Sequence, residues 1–341
     1  MKKNSRFVIS LISLFSLLSC AQNKENVSIL IYDINDSFIN SLWQKITKCL
    51  SNEGYDVKSY DCQRSQNQQN KYLLEAIEKN KASLLLVNLV DRLTASVTIE
   101  KAIQKETPLI FFNREPLSKD LESGIKEFKN IYYVGTNPRF EGEKQAEMLY
   151  SVTMKEGKLL EEYDKNKNGV LDIVLLKGEI GNQDTEGRSE AFINKLKSLS
   201  LPFVVLESTY ANWQKDKGKL AMEEMYKKHG GNIEALISNN DDMALGAIDY
   251  LLEQGIFKEE EEKGAFPVFA VDGLSSSFSY IKKGFLTGTV KNNDIFQSEA
   301  ICSLANYLLK NQEIPPQFPY KINSNHTIYI EGNIINKENL E

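Results

Sequence analysis

The sequence predicts an α/β protein of two doubly wound parallel-sheet lobes, and three observations predict it. Short apolar runs alternate with amphipathic stretches. The alternation occurs twice along the chain, and further segments of both kinds follow the second series. Strands separated by helices of about 10–15 residues lie side by side in parallel, because each crossover helix carries the chain back to the same end of the sheet. At 341 residues the chain exceeds one ordinary core, and its length suggests about two domains.

The first series contains the strand runs VSILIYDI (27–34), YDVKSYDC (55–62), ASLLLVNLV (82–90), TPLIFFNRE (107–115) and IYYVG (131–135). Between them lie amphipathic stretches such as 38–52 and 69–80. The second series has strands LDIVLLKGE (171–179), PFVVLESTY (202–210), EALISNND (234–241) and FPVFAVDG (266–273). Helical patterns fill 185–199, 213–229 and 242–255, and the tail adds TGTVKNND, a helix over 296–312 and a strand over 326–332. The acidic run KEEEEKG (258–264) reads as a solvated loop.

Composition narrows the function classes. Net charge is −6 with both signs interleaved, so the basic patch of a nucleic-acid surface is missing. Only two histidines occur, His229 and His326, far apart in sequence. A histidine-rich metal site or a Ser/His/Asp machine has little raw material here. Near the start, Lys2, Lys3 and Arg6 precede an apolar run from Phe7 to Leu18, and Cys20 follows Ser19. A run this short reads as a secretion signal rather than a spanning helix. With the cysteine directly after it, the segment resembles a bacterial lipoprotein signal, which makes Cys20 the acylated first residue of the mature chain. Cys49, Cys62 and Cys302 remain, an odd count at wide spacing and no disulfide framework. Cys49 and Cys302 fall in helical patterns and read as buried small apolar side chains; a Cys49–Cys62 bridge is the minor alternative.

Ligands of open α/β sheets bind beyond the carboxyl ends of the strands. Asp36, Phe38, Asn113, Asn240, Asp241 and Asp272 stand there. Each alone reads as a helix cap or loop residue; together they point to a polar ligand between the lobes. The sharpest local motif is the nine residues from Asp164 to Asp172. Oxygen-bearing side chains at positions 1, 3, 5 and 9, with Gly169 at 6, match an EF-hand calcium loop. Position 12 is Leu175 rather than glutamate, and the chain leaves into a strand. Local sequence leaves calcium and a plain polar turn both open.

This loop leading into a strand, followed by GEIGNQDTEGR, Trp213, SNNDDMALGA and FAVDG, resembles the periplasmic galactose/glucose-binding proteins. These are the sugar-capturing subunits of ABC importers in the pentose/hexose branch of type I periplasmic binding proteins. IYDINDSF, LLLVNLVD, LIFFNREP, IYYVGT, LKGE and GTVKNN fall in the family's order across nearly all of the chain after the signal. The resemblance implies that Asp36 accepts hydrogen bonds near the sugar 4-hydroxyl and that Phe38 and Trp213 sandwich the pyranose. Apolar C–H faces suit aromatic planes. It implies that Asn113, Asp184, Arg188, Asn240, Asp272 and Asn292 saturate the hydroxyls, with Arg188 giving charge-assisted bonds. Asn182 stands where the family has histidine, which bears on the ranking of sugars. The implied calcium ligands are Asp164, Asn166, Asn168, the Val170 carbonyl, Asp172 and a remote carboxylate, Glu234.

The implied fold is a type I periplasmic binding protein, two lobes joined by a three-stranded hinge. Residues 21–136 with 294–329 form the N lobe, and 137–293 with 330–341 the C lobe. Crossings fall near Thr136, Asn293 and Ile330, and closure about this hinge produces the form that membrane partners read. The implied function is binding of D-glucose or D-galactose and delivery to the membrane subunits of an ABC importer, with a chemoreceptor as a second reader. The implied protein is an envelope monomer. A pentose-binding lipoprotein, or a sugar-sensing lipoprotein coupled to a receptor, is the alternative. A repressor of the same lobe architecture would need an N-terminal helix-turn-helix where a signal stands, and a glycosidase would need an activated nucleophile that no strand edge offers. Cys20→Ser is expected to move the protein from the membrane fraction to the soluble one; unchanged partition and mass in the variant would refute acylation.

Overall fold

A computed structural model of the protein describes residues 24–258 and 264–340. The segment read as a signal, with Cys20, lies outside the described residues, as does most of the acidic run at 258–264. Among the described residues no helix is long and apolar enough to cross a membrane.

The N-lobe elements are β1 (Asn26–Ile31), α1 (Ser37–Asn52), β2 (Asp56–Asp61), α2 (Gln66–Leu74), β3 (Leu84–Val87), α3 (Ala95–Gln104), β4 (Leu109–Phe112), α4 (Ser118–Glu127) and β5 (Ile131–Gly135). The chain then crosses to α5 (Pro138–Thr153), a small hairpin of β6 (Met154–Lys155) and β7 (Lys158–Leu159), β8 (Leu171–Lys177), α6 (Gln183–Ser198), β9 (Phe203–Tyr210), α7 (Lys215–His229), β10 (Ala235–Ser238), α8 (Asp241–Glu253), β11 (Val268–Asp272), α9 (Ser275–Lys282) and β12 (Gly288–Lys291). It ends with α10 (Asp294–Leu309), β13 (Thr327–Tyr329) and β14 (Ile334–Asn336).

Two six-stranded sheets result, ordered β2-β1-β3-β4-β5-β13 and β9-β8-β10-β11-β12-β14. Every pairing in the first is parallel, and in the second only β12–β14 is antiparallel. Central strands read as unbroken apolar runs because both their faces are covered. Ile29 and Leu86 pack on one side of the first sheet, Leu30 and Leu85 on the other. In the second sheet Val174 and Leu236 face one core, Ile173 and Ile237 the opposite one. The edge strands β2 and β9 alternate between more and less exposed positions instead.

Helices form where an apolar stripe meets a cap. Phe38, Ile39, Leu42, Ile46 and Leu50 line the buried side of α1, and Asp36 caps it by accepting from the Ile39 N–H at 3.0 Å. Such a cap stabilises a helix by about 1 kcal/mol. Three segments connect the lobes: 135–138, 291–294 and 329–334, the last two adjacent strands belonging one to each sheet. A Cβ at Gly332 would stand 1.6 Å from the Lys291 carbonyl oxygen, so the crossings run side by side only with glycine there.

The cysteine reading needs one correction. Cys49 at the end of α1 bonds to Cys302 in α10, with Cα atoms 6.5 Å apart, and Cys62 is the buried free thiol. Helical periodicity placed both partners correctly inside helices. Only the packing of α1 on α10 brings positions 253 residues apart together. Ser41 and Lys45 of α1 also reach Asp294 at the start of α10, at 2.6 and 2.7 Å.

Candidate functional site

The carboxyl ends of both sheets face one cleft, a narrow one in which about 30 Å³ is open to a water-sized sphere. The ten residues that the resemblance implies for the sugar line it: Asp36, Phe38, Asn113, Asn182, Asp184, Arg188, Trp213, Asn240, Asp272 and Asn292. Asp241, also marked at a strand end, lies outside it and accepts instead from the Leu274 N–H and the Thr289 hydroxyl, at 2.8 and 2.6 Å. Tyr32, Ile39 and Arg114 complete the lining. Phe38 comes from the N lobe and Trp213 from the C lobe, and both are buried.

Several of these side chains already carry a structural duty, which fixes the groups left for a ligand. The Asn240 oxygen caps α8 on the Met243 N–H at 3.0 Å, while its amide donates to the Trp213 carbonyl at 3.2 Å. The Asn182 oxygen caps α6, accepting from the Asp184 and Thr185 N–H groups at 2.8 and 3.3 Å. Asn182 therefore offers the cleft chiefly donors, not the donor and acceptor pair its side chain carries in isolation. Asn88, behind the cleft, donates to the Asn113 oxygen at 3.1 Å and orients that amide. Asn113, Trp213 and Asp272 have φ of 59, 65 and 125°. Positive φ at non-glycine residues is strained and clusters where a site over-determines the backbone. Trp213, which the helical pattern placed in α7, instead sits in the turn before it.

Arg188 is the one cation at the floor of the C-lobe wall, and it is wholly buried. Its Nε donates to Glu141 at 2.6 Å, its Nη1 to the Asn239 carbonyl at 2.7 Å, and its Nη2 stands 3.8 Å from Asp184. Burial opposes its charge, but Glu141, Asp184 and Asp272 outweigh that and hold its pKa above the ordinary arginine value. Burial raises the pKa of Asp36, Asp184 and Asp272; the Tyr32 hydroxyl opposes the shift at Asp36, and Arg188 opposes it at the other two. Tyr32 donates to Asp36 and carries the Arg114 guanidinium 3.6 Å from its ring centre.

At the rim, Glu179 of the C lobe holds two N-lobe arginines, Arg64 at 3.0 Å and Arg114 at 2.8 Å. Arg64 also donates to the Asn212 carbonyl at 3.1 Å and to Asp33. Gln183 adds a bond to the Asn113 carbonyl at 3.1 Å. The two lobes are thus joined directly across the cleft mouth. Sequence reading missed Tyr32, Arg114, Glu141 and Glu179. Tyr32 and Arg114 flank Asp36 and Asn113 in IYDINDSF and FFNRE, so strand-edge proximity was an available signal; Glu141 lies in a helix and gave none.

The loop after Tyr163 draws its oxygens inward. Asp164 accepts from the Asn168 and Gly169 N–H groups, and Asn166 and Asn168 donate to Asp172 at 2.6 and 2.9 Å. Glu234, fully buried, turns both oxygens to this loop, accepting from the Lys165 N–H at 2.6 Å and the Asp172 N–H at 2.9 Å. Three carboxylates, two amides and the Val170 carbonyl are the hard oxygen donors that calcium takes. Their chemistry and their gathering around one turn fit that ion, although among the described residues no three acidic, histidine or cysteine side chains stand close enough to form a metal cluster.

Residues 27–313 match the family model described as periplasmic binding protein domain. The chain is 31% identical over 288 residues to the D-galactose/methyl-galactoside binding periplasmic protein MglB of Haemophilus influenzae, covering 84% of this chain and 82% of that one. It is 24% identical over 317 residues to the ribose import binding protein RbsB of Salmonella typhimurium, covering 92% and 94%. Its fold is similar to that of an ABC transporter periplasmic solute binding protein from Actinobacillus succinogenes with bound D-allose, at TM-score 0.75 and 19% identity, covering 92% and 98% of the two chains.

The rim geometry predicts that Glu179→Ala weakens ligand binding about tenfold, equivalent to about 1.4 kcal/mol. It leaves the Arg114 charge, 7% exposed, without its partner across the mouth. Most of the loss is expected in faster release, read by stopped-flow fluorescence; an unchanged release rate would show that this contact does not hold the lobes together.

Proposed function

The chain belongs to the periplasmic binding protein domain family, and from that premise we propose that it captures a hexose, D-glucose or D-galactose, in the interlobe cleft and delivers it to an ABC importer. Members of this family bind solutes for transport and are not enzymes. Its place is the periplasm or cell envelope. The observation that carries the sugar reading is the cleft lining. An aromatic side chain from each lobe stands among planar amides, carboxylates and one buried guanidinium. Aromatic faces suit the C–H faces of a pyranose, and planar polar groups suit its hydroxyls. In this reading Phe38 and Trp213 sandwich the ring, and Asp36 receives the 4-hydroxyl on the lone pairs that Tyr32 and the Ile39 N–H leave open.

Closure around the sugar creates the surface that the importer's membrane subunits recognise, with a chemoreceptor as a second reader. The protein acts as a monomer held to the membrane through lipidated Cys20. The second reading, a pentose binder, is favoured by the ribose-binding relative, which the chain covers almost completely. Asn182, restricted to donating, is the residue placed to tip the balance between sugars.

Titration by calorimetry with glucose, galactose, ribose and xylose is the test. Sub-millimolar binding of a hexose is expected, and a pentose bound below millimolar with no hexose so bound would replace the hexose reading. Trp213→Ala is expected to cost about a hundredfold in affinity, or about 2.7 kcal/mol. Equal affinity in the variant would remove Trp213 from the site.

Calcium is proposed as a structural ion, held by Asp164, Asn166, Asn168, the Val170 carbonyl, Asp172 and Glu234. When bound it would tie the turn before β8 to the start of β10. At about 100-fold saturation its removal lowers stability by about 2.7 kcal/mol. The melting temperature is therefore expected to fall in chelator and recover with millimolar calcium. Identical melting in both, or Glu234→Ala leaving calcium binding intact, would refute the site.

A further inference from the structure

Trp213 is held at a fixed depth. Beyond the ends of β8 and β9 the two segments stay paired, with the Ala211 N–H on the Lys177 carbonyl at 2.8 Å and the Asn212 N–H on the Gly178 carbonyl at 3.2 Å. Asn240 clamps the Trp213 carbonyl from the other side, and the residue has a left-handed backbone. These bonds fix the backbone that carries the indole. The indole packs against Gly178, whose own N–H donates to the Asn239 side-chain oxygen at 3.2 Å. A Cβ built on Gly178 would stand 2.1 Å from Cζ2, 2.2 Å from Cη2 and 2.4 Å from Cε2 of Trp213. Contacts under 3.0 Å essentially never occur, so a single methyl group there must displace the ring by about an ångström.

We propose that Gly178 is a positioning residue that sets the width of the ligand slot, acting through Trp213. Its missing side chain lets the indole sink against the C-lobe sheet edge, and the depth of the indole decides whether a ring fits between it and the N-lobe wall. Any side chain at 178 drives the aromatic plane into the cleft. This rests on the reading of Trp213 as a wall of the sugar's seat. The role is distinct from contact, because Gly178 offers the ligand no group of its own.

The chain has two tryptophans, so in a Trp43→Phe background Trp213 emission reports the indole alone. Gly178→Ala in that background is expected to shift the emission of the ligand-free protein and lower its melting temperature by a few degrees, while far-UV circular dichroism stays near the parent. An unmoved emission overturns the proposal whatever the ligand proves to be. The binding arm measures hexose affinity of Gly178→Ala, expected to fall tenfold or more. The atoms struck belong to the six-membered part of the indole, which a shorter phenyl ring does not reach. In a Trp213→Phe background the further step Gly178→Ala is therefore expected to cost less than twofold. A cost as large there as with tryptophan would show that Gly178 acts on the fold and not through the ring. If the parent binds no sugar at all, the sugar reading fails, and the emission shift still decides the role of Gly178.

Discussion

A guanidinium with almost no exposed surface must be neutralised where it lies, and the C-lobe wall of the cleft is built around that requirement. An uncompensated buried charge costs several kcal/mol. Arg188 meets it with Glu141 from α5 and the Asn239 carbonyl from the end of β10. These two contacts lock three elements together at the sheet edge: the first turn of α5, the body of α6 and the end of β10. The same charge opposes the upward shifts of Asp184 and Asp272, so burial does not act alone on those carboxyls. One cation thus organises both the packing and the polarity of the wall. Its partner Glu141 begins the helix that follows the first hinge crossing, which links hinge geometry to site geometry.

The cleft follows a single division of labour. Side chains at the strand ends cap the helices that follow them and keep one polar group for the ligand. Asp36, Asn182 and Asn240 all do this. A cap has little rotational freedom, so the remaining group is aimed before any ligand arrives, and the entropy cost of ordering it is already met by folding. Glu179 and its two arginines then join the lobes at the rim.

How much of this was legible in the sequence depends on the range of the interaction. Strand runs and strand-edge polar residues are local signals; they marked Asp36, Phe38, Asn113, Asn240 and Asp272, which meet in one cleft, and Asp241, which instead accepts from the Leu274 N–H, while the family resemblance supplied the other five lining positions. The family resemblance tied Glu234 to a loop more than sixty residues earlier, and its carboxylate accepts there from the Lys165 and Asp172 N–H groups. What the sequence hid was tertiary. Cys49 and Cys302 give no cue to each other until α1 lies on α10. Trp213 precedes a helical pattern and was read as its first residue, yet the pairing beyond β9 holds it in a left-handed turn. Glu141 lies in a stretch the sequence reading left unassigned, and its partner Arg188 of α6 is forty-seven residues away in sequence. Asn182 lines the cleft, but its cap on α6 consumes an acceptor that composition alone would have credited to a ligand.

The last two strands in the chain have a consequence for timing. β13 completes the edge of the first sheet and β14, four residues on, the edge of the second. β13 pairs with β5, whose sequence lies nearly two hundred residues earlier, so the first sheet is incomplete until that distant strand arrives. Non-local pairing of this kind is slow, because loop closure must precede the contacts that reward it.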